Sequence, residues 1–435
     1  MGVDKLYTHS CKKQKIDIIM KTKLLILLSI ITVNILHAQT DSTRSKDTTT
    51  SILQQSLVDS SLYDRISALE KKADYNKPGE DHFMMAGLAT FGFVSNKTTN
   101  TLNGVLQDVL KKNSLADVDH FEFSPMFFWR HGKKILVEFE PSFADNQLSV
   151  NWADISYFVA PNVILRAGYL VIPFGFYPKH LAAGWITKLA SDPFGITEVP
   201  TTDYGVEVEG GIQAGTMKWN YDFSLTNGMQ LLPDGQLQSS GLSDNNNNKT
   251  ITGRIGWLPF SNSSLELGVS GLRGKIGDAG SSFESITTNM YAFDLNLVEN
   301  IKPFQLNIKG QYNIVNIGNA DYINPKDTSV YSFNNHTTSG FIQASLRPSF
   351  SDNMIVKNFE LAGRYGNFST PGNSLWGTKQ NGWAVGLDYW LSWRTVLKFT
   401  YEAIKTINNS LINIDVPVGF VSKSNSMYLQ FAIQL

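Results

Sequence analysis

From His82 to the last residue, apolar and polar side chains alternate in short segments, the pattern of strands with one apolar and one polar face. "MKWNYDFSL" sets Trp219, Tyr221, Phe223 and Leu225 against Lys218, Asn220, Asp222 and Ser224. "PFQLNIKGQY" sets Phe304, Leu306, Ile308 and Tyr312 against Gln305, Asn307, Lys309 and Gln311. "SWRTVLKFTYE" opposes Trp393, Leu397, Phe399 and Tyr401 to Arg394, Lys398 and Glu402. About sixteen such segments follow one another, an even number, as a closed antiparallel barrel requires when both termini lie at one end. They begin near residues 83, 119, 134, 148, 162, 203, 217, 249, 263, 288, 303, 337, 357, 381, 393 and 425. Their connections alternate as well. "HGK", "AP", "AGT" and "FSN" are tight, whereas 95–118, 172–202, 228–248, 274–287, 316–336, 369–380 and 404–424 are long. The short stretch 145–147 falls where a long connection is due, which leaves the third and fourth strands the least defined.

The chain closes on "MYLQFAIQL", alternating strictly from Met427 to Leu435. Most domains end in something frayed and polar, so a strand that runs to the last residue needs a partner. In hydrocarbon every backbone amide and carbonyl must be paired inside the protein, and a spanning sheet must therefore close its last strand on its first. A soluble β-sandwich has the same alternation, but its aromatic residues do not gather at strand ends. Here Trp129, Tyr169, Trp257, Trp383, Tyr389 and Trp393 do, as in interfacial girdles. The expected fold class is all-β: a transmembrane antiparallel barrel of about sixteen strands spanning 83–435, both termini periplasmic.

The N-terminal region reads differently. "MKTKLLILLSIITVNILHAQ" from Met20 has two lysines, an apolar core from Leu24 to Leu36 and a small residue at Ala38, the layout of a signal peptide over 20–38. Residues 1–19 read as an upstream extension and contain Cys11, the only cysteine. Removing residues 1–38, with six lysines and two aspartates, moves the formal charge from −1 to about −5. That balance argues against nucleic acid as a partner. Over 39–82, a Ser/Thr-rich linker precedes "SSLYDRISALEKKADY", where Leu62, Ile66, Leu69 and Ala73 predict a short periplasmic helix. A second helix is expected in "TLNGVLQDVL", from Leu102, Val105, Leu106, Val109 and Leu110.

Several segments resemble a known family. "ILRAGYLVIPFGFYP" (Ile164–Pro178) is similar to the "vGqfktPfG" segment of the phosphate-selective porin O and P family. "DYGVEVEGGI" with "YDFSLTNG", then "GRIGWLP", "ELAGRYGNF" and "WAVGLDYWL", resemble its later strands in type and order. The resemblance implies a sixteen-stranded, usually trimeric barrel whose third external loop folds inward; in selective members a ladder of arginines and lysines passes phosphate. The corresponding loop here is 172–202, with Lys179, His180, Lys188, Asp192 and Glu198.

Parity with apolar neighbours points Lys134, Arg166, Lys218, Arg254, Lys309, Arg347, Arg364, Arg394 and Lys398 into the lumen. The same parity points Glu138, Glu140, Asp154, Glu207, Glu209, Asp222, Glu266, Asp294, Glu360, Asp388 and Glu402 inward. A mixed, slightly acidic lumen does not favour phosphate, because a narrow pore amplifies its own fixed charge. Opposite charges on neighbouring strands are expected to pair and brace the wall.

Little suggests turnover. "GVSGL" lacks the Gly-x-Ser-x-Gly elbow, and no His, Asp or Glu spacing reaches metal-ligand quality. Glu207 and Glu209 share a strand face, where paired carboxylates more often line water than act as acid and base. The expectation is a cofactor-free porin for small hydrophilic solutes, set in outer-membrane lipid and recognised by barrel-assembly machinery through its C-terminal strand. The alternatives are an anion- or phosphate-selective channel and a surface-binding barrel with little conduction.

Overall fold

The computed structural model describes residues 81–435 except 116–120, 145–146, 181–186, 194–200, 240–243, 325–326 and 411–415. The first strands are β1 (Asp81–Leu102), β2 (Val105–Leu115), β3 (Phe121–His131), β4 (Ile135–Ala144), β5 (Gln147–Ala160) and β6 (Val163–Val171). After the short helix α1 (Tyr177–His180) come β7 (Thr202–Ala214), β8 (Met217–Thr226) and the small hairpin β9 (Met229–Leu231) and β10 (Leu237–Ser239). Next are β11 (Thr250–Leu258), β12 (Leu265–Lys275), β13 (Thr287–Ile301) and β14 (Phe304–Ile317), then a second small hairpin, β15 (Asp321–Ile323) and β16 (Val330–Ser332). The chain ends with β17 (His336–Arg347), β18 (Phe359–Ser369), β19 (Thr378–Ser392), β20 (Thr395–Asn408) and β21 (Phe420–Gln434).

Apart from the two small hairpins, every strand belongs to one antiparallel sheet, and that sheet is closed. β21 pairs with β1 from Leu88↔Gln434 to Leu102↔Phe420, and the Leu435 amide donates to the Gly87 carbonyl at 2.9 Å. The terminal alternation is therefore the seam of the barrel. On the other side of β1, β3 takes the half from Asp81 to Phe91 and β2 the half from Phe93 to Leu102. The two share one position, so seventeen strand segments make a sixteen-strand barrel. β4 and β5 pair directly, Ala144 opposite Gln147, which fixes the boundary that the sequence left least defined.

One sequence expectation is overturned. "TLNGVLQDVL" is a hairpin rather than a helix: β1 runs on to Leu102, Asn103 and Gly104 turn at φ 50° and 83°, and β2 returns. The Asn-Gly pair tolerates left-handed backbone at both turn positions, which is the strongest local hairpin signal. The expected helix over Leu62–Ala73 lies outside the described residues, as do the signal segment and the linker.

The barrel reverses the usual distribution of polarity. Leu429, Phe399, Phe293 and Ile255 point outward and are exposed, while Gln430, Lys398, Thr400, Asp294 and Arg254 beside them in sequence are buried. Such a surface is satisfied by hydrocarbon rather than by water. Aromatic residues cluster towards the end with the tight turns: Trp219 stacks on Trp257 with ring centroids 5.8 Å apart, and Phe359 meets Tyr389 edge-on at 5.0 Å. Towards the other end Tyr169 packs on Tyr204 at 4.6 Å.

Candidate functional site in the barrel interior

Inward side chains from neighbouring strands meet in charged groups. Arg166 on β6 makes a two-pronged contact with Asp154 on β5 (3.2 and 2.7 Å) and reaches Glu138 on β4 at 2.5 Å. Its Nη1 lies 3.6 Å from Glu209 on β7. Arg254 on β11 grips Asp294 on β13 (3.0 and 2.6 Å) and Glu266 on β12 (2.8 Å). Gly268 lies beneath this group, where a Cβ would collide with the Asp294 carboxylate and the Arg254 guanidinium. Arg364 on β18 binds Glu402 on β20 at 3.0 Å, and the Tyr428 hydroxyl donates to the other Glu402 oxygen at 3.2 Å. Planar guanidinium groups suit this work, because two parallel bonds to one carboxylate fix both partners.

The segment after β6 enters the same space. Ile172, Phe174, Phe176 and Tyr177 are buried. Gly175 donates its amide to Ser270 on β12 (3.0 Å), and the Phe176 and Tyr177 amides both donate to the Gln311 side-chain oxygen on β14 (3.0 Å each). Gly175 sits at φ 67° with its Cα against the Gln311 side chain, and a Cβ there would overlap that amide. Only glycine combines this turn with this approach. Lys179 on α1 then places its ammonium among Glu207 (3.0 Å), Glu209 (3.4 Å) and Asp222 (3.4 Å). These three carboxylates lie close enough to suit a metal ion, and Lys179 already supplies a positive charge among them.

Further along, the segment is tied to the strands just before the seam. The Thr187 carbonyl accepts from Lys398 at 2.7 Å, and Lys188 reaches Glu360 at 3.4 Å with its ammonium 5.2 Å from the centre of the Trp390 ring. The Ala190 amide donates to Thr400 at 3.0 Å, and Arg364 donates to the Ser191 and Asp192 carbonyls at 2.5 and 3.0 Å. The described parts of 172–192 thus bond to side chains on β7, β8, β12 and β14 at one end and on β18 and β20 at the other. Ile172 and Phe174 also join an apolar cluster inside the long-loop end with Met229, Leu272, Met290, Val315, Tyr322 and Phe333. There, burial and the Asp234 carboxylate push the Tyr331 hydroxyl up to about 12, so it stays a neutral donor to the Asp234 carbonyl.

Most sequence-derived positions fall on this inner face. Glu138, Glu140, Asp154, Glu207, Arg254, Glu266, Asp294, Lys309, Glu360, Arg364, Asp388, Lys398 and Glu402 are buried there, and Arg166, Glu209 and Asp222 are half-buried. Arg347 lies at the tight-turn end with its guanidinium 5.1 Å from the centre of the Trp390 ring, and Lys218 bonds Ser263 at the same end. Lys134 and Arg394 are corrected. Both are exposed on turns, Lys134 over the outward Tyr157 ring and Arg394 over Trp393, because strand parity ceases where the strand does. Asp192 is exposed. The His180 side chain and Glu198 fall outside the described residues. Sequence reasoning missed Gln311, Ser270 and Thr400, polar inward residues whose role depends on a segment far away in the chain.

No family model matches the chain, and no curated protein is similar to it. Solved structures share its fold. The anion-selective porin from Comamonas acidovorans superposes with a TM-score of 0.50 at 12% identity, over 81% of this chain and 100% of its own. The outer membrane channel DcaP of Acinetobacter baumannii gives 0.51 at 11% identity, over 82% and 97%. The fold is that of the outer-membrane porins. At these identities the likeness extends to the barrel alone.

Proposed function

We propose that this chain is an outer-membrane porin, a water-filled channel through which small hydrophilic solutes diffuse passively, narrowed by the inward segment over 172–202. The observation that carries this reading is the segment itself, whose described parts around 175–177 and 187–191 hydrogen-bond to inward side chains inside a closed barrel. A barrel serving only to display loops has no need of a strap across its interior. The tight turns and both chain ends then face the periplasm, and Gln430 and Ala432 face inward while Leu429 and Phe431 face lipid. Assembly into trimers and recognition of β21 by barrel-assembly machinery belong to the same reading.

The charges favour weak selectivity. Arg166, Arg254 and Arg364, three of the nine cations expected in the lumen, are each engaged by carboxylates, which cancels the local positive excess an anion filter needs. The test is planar-bilayer recording of the purified protein under a salt gradient. Stepwise conductance with a reversal potential near zero or leaning to cations is expected. Absence of steps would sink the channel reading, and a strong anion preference would restore the phosphate one. The membrane reading has its own check: Leu429→Arg puts a charge on the lipid face and should destabilise the barrel by about 2–4 kcal/mol near the midplane, read by urea unfolding in lipid.

A further inference from the structure

The interior wall is uneven in both charge and cover. On β11 to β17 the inward residues Thr252, Ser270, Lys309, Ser339 and Gln343 are all buried. Along the seam, Thr90 and Asn100 on β1 and Ser426 and Gln430 on β21 are buried too, but Asn96 and Thr98 on β1 and Ser422, Ser424 and Tyr428 on β21 face inward and remain half-buried. None of these carries a charge. They hydrogen-bond to one another: Asn96 donates to Ser424 and Ser426 at 2.6 and 2.7 Å, and Thr98 donates to the Asn96 oxygen at 2.8 Å. The described parts of the 172–192 segment bond to β7, β8, β12, β14, β18 and β20. The inward charges nearest the seam are on β20, Lys398 opposite Gln430 and bound to the Thr187 carbonyl and Glu402 opposite Ser426 and bound to Arg364 and Tyr428, then Glu122 on β3 and Asp108 and Lys112 on β2; Lys97 and Lys423 on the seam strands alternate with the inward residues and are exposed.

We propose that the seam wall of β21 and β1 is the solute track, and that it passes small uncharged hydrogen-bonding solutes, polyols and monosaccharides, in preference to ions of similar size. This rests on the channel reading above. A file of hydroxyl and amide groups exchanges hydrogen bonds with a polyol as readily as with water, so the solute sheds its hydration at little cost. An ion gains no countercharge there and keeps its desolvation penalty. The seam also faces away from the apolar cluster built by Ile172, Phe174 and Met229, whose partners on the wall lie on β12 to β14.

Apart from Cys11 in the expected leader the chain has no cysteine, so single cysteines report access cleanly. Ser424→Cys and Ser339→Cys are near-isosteric, and each is exposed to a cationic methanethiosulfonate during bilayer recording. The expected result is a loss of conductance and a shift towards anions for Ser424→Cys, with Ser339→Cys unchanged. Modification of Ser339→Cys without Ser424→Cys would move the track to the β17 wall and overturn the assignment. Liposome swelling with arabinose against sodium gluconate tests the solute class, and faster entry of gluconate would refute it. If the unmodified protein shows neither conductance nor swelling, the channel reading fails instead, before the track is in question.

Discussion

Removing residues 173–200 and joining Ile172 to Thr201 through a short glycine-serine link should raise single-channel conductance severalfold. Conductance follows the free cross-section, and the segment occupies the interior with fully buried aromatic side chains, Phe174 and Phe176 among them. Its removal takes away two cations and two anions, Asp192 and Glu198, but the cations, Lys179 and Lys188, are the ones that face wall carboxylates, Glu207, Glu209, Asp222 and Glu360, which stay behind without them. The wider pore should therefore become more cation-selective as well as more conductive. Lys179→Met makes the same argument with one atom group. It leaves three carboxylates within a few ångströms of one another, with Arg166 alone still touching Glu209, so a noisier current and a cation shift are expected without the full gain in conductance. Unchanged conductance in the deletion would show that the narrowest point lies elsewhere.

The barrel was legible because its two faces must differ. Strict alternation over Met217–Leu225, Phe304–Tyr312 and Met427–Leu435 matches the inward and outward faces of β8, β14 and β21. The hairpin at β1 and β2 was misread for a physical reason. Leu102, Val105, Leu106, Val109 and Leu110 keep helical spacing only because a bulge between Asn100 and Thr101 and a two-residue turn interrupt the alternation. Asn103-Gly104 was the better signal. Parity also overran the strands at Lys134 and Arg394, where the backbone has already turned. What no local pattern could supply was the bonding of the inward segment. Phe176 meets Gln311 at a sequence separation of 135, and Arg364 meets Ser191 at 173. Such contacts depend on closure of the whole sheet, which brings β14 and β18 to the interior that β6 empties into.

The same closure sets the cost of disturbing the charged groups. Arg254→Met should destabilise the barrel by about 3–5 kcal/mol, the usual penalty when one partner of a buried ion pair is removed. Asp294 and Glu266 would remain buried beside Gly268 without their shared guanidinium, Asn220 still donating to Glu266 at 2.9 Å. The loss should appear as a lower urea midpoint in lipid with an unchanged slope, since the same surface is exposed on unfolding. Adding Asp294→Asn and Glu266→Gln to Arg254→Met should recover most of it, because the penalty arises from uncompensated charge rather than from a lost contact. Arg394→Met provides the contrast. That guanidinium is exposed on a turn over Trp393, and its replacement should change stability by no more than about 0.5 kcal/mol. If the two arginines cost the same, the interior charges are solvated rather than mutually held, and the case for a weakly selective, paired lumen falls with them.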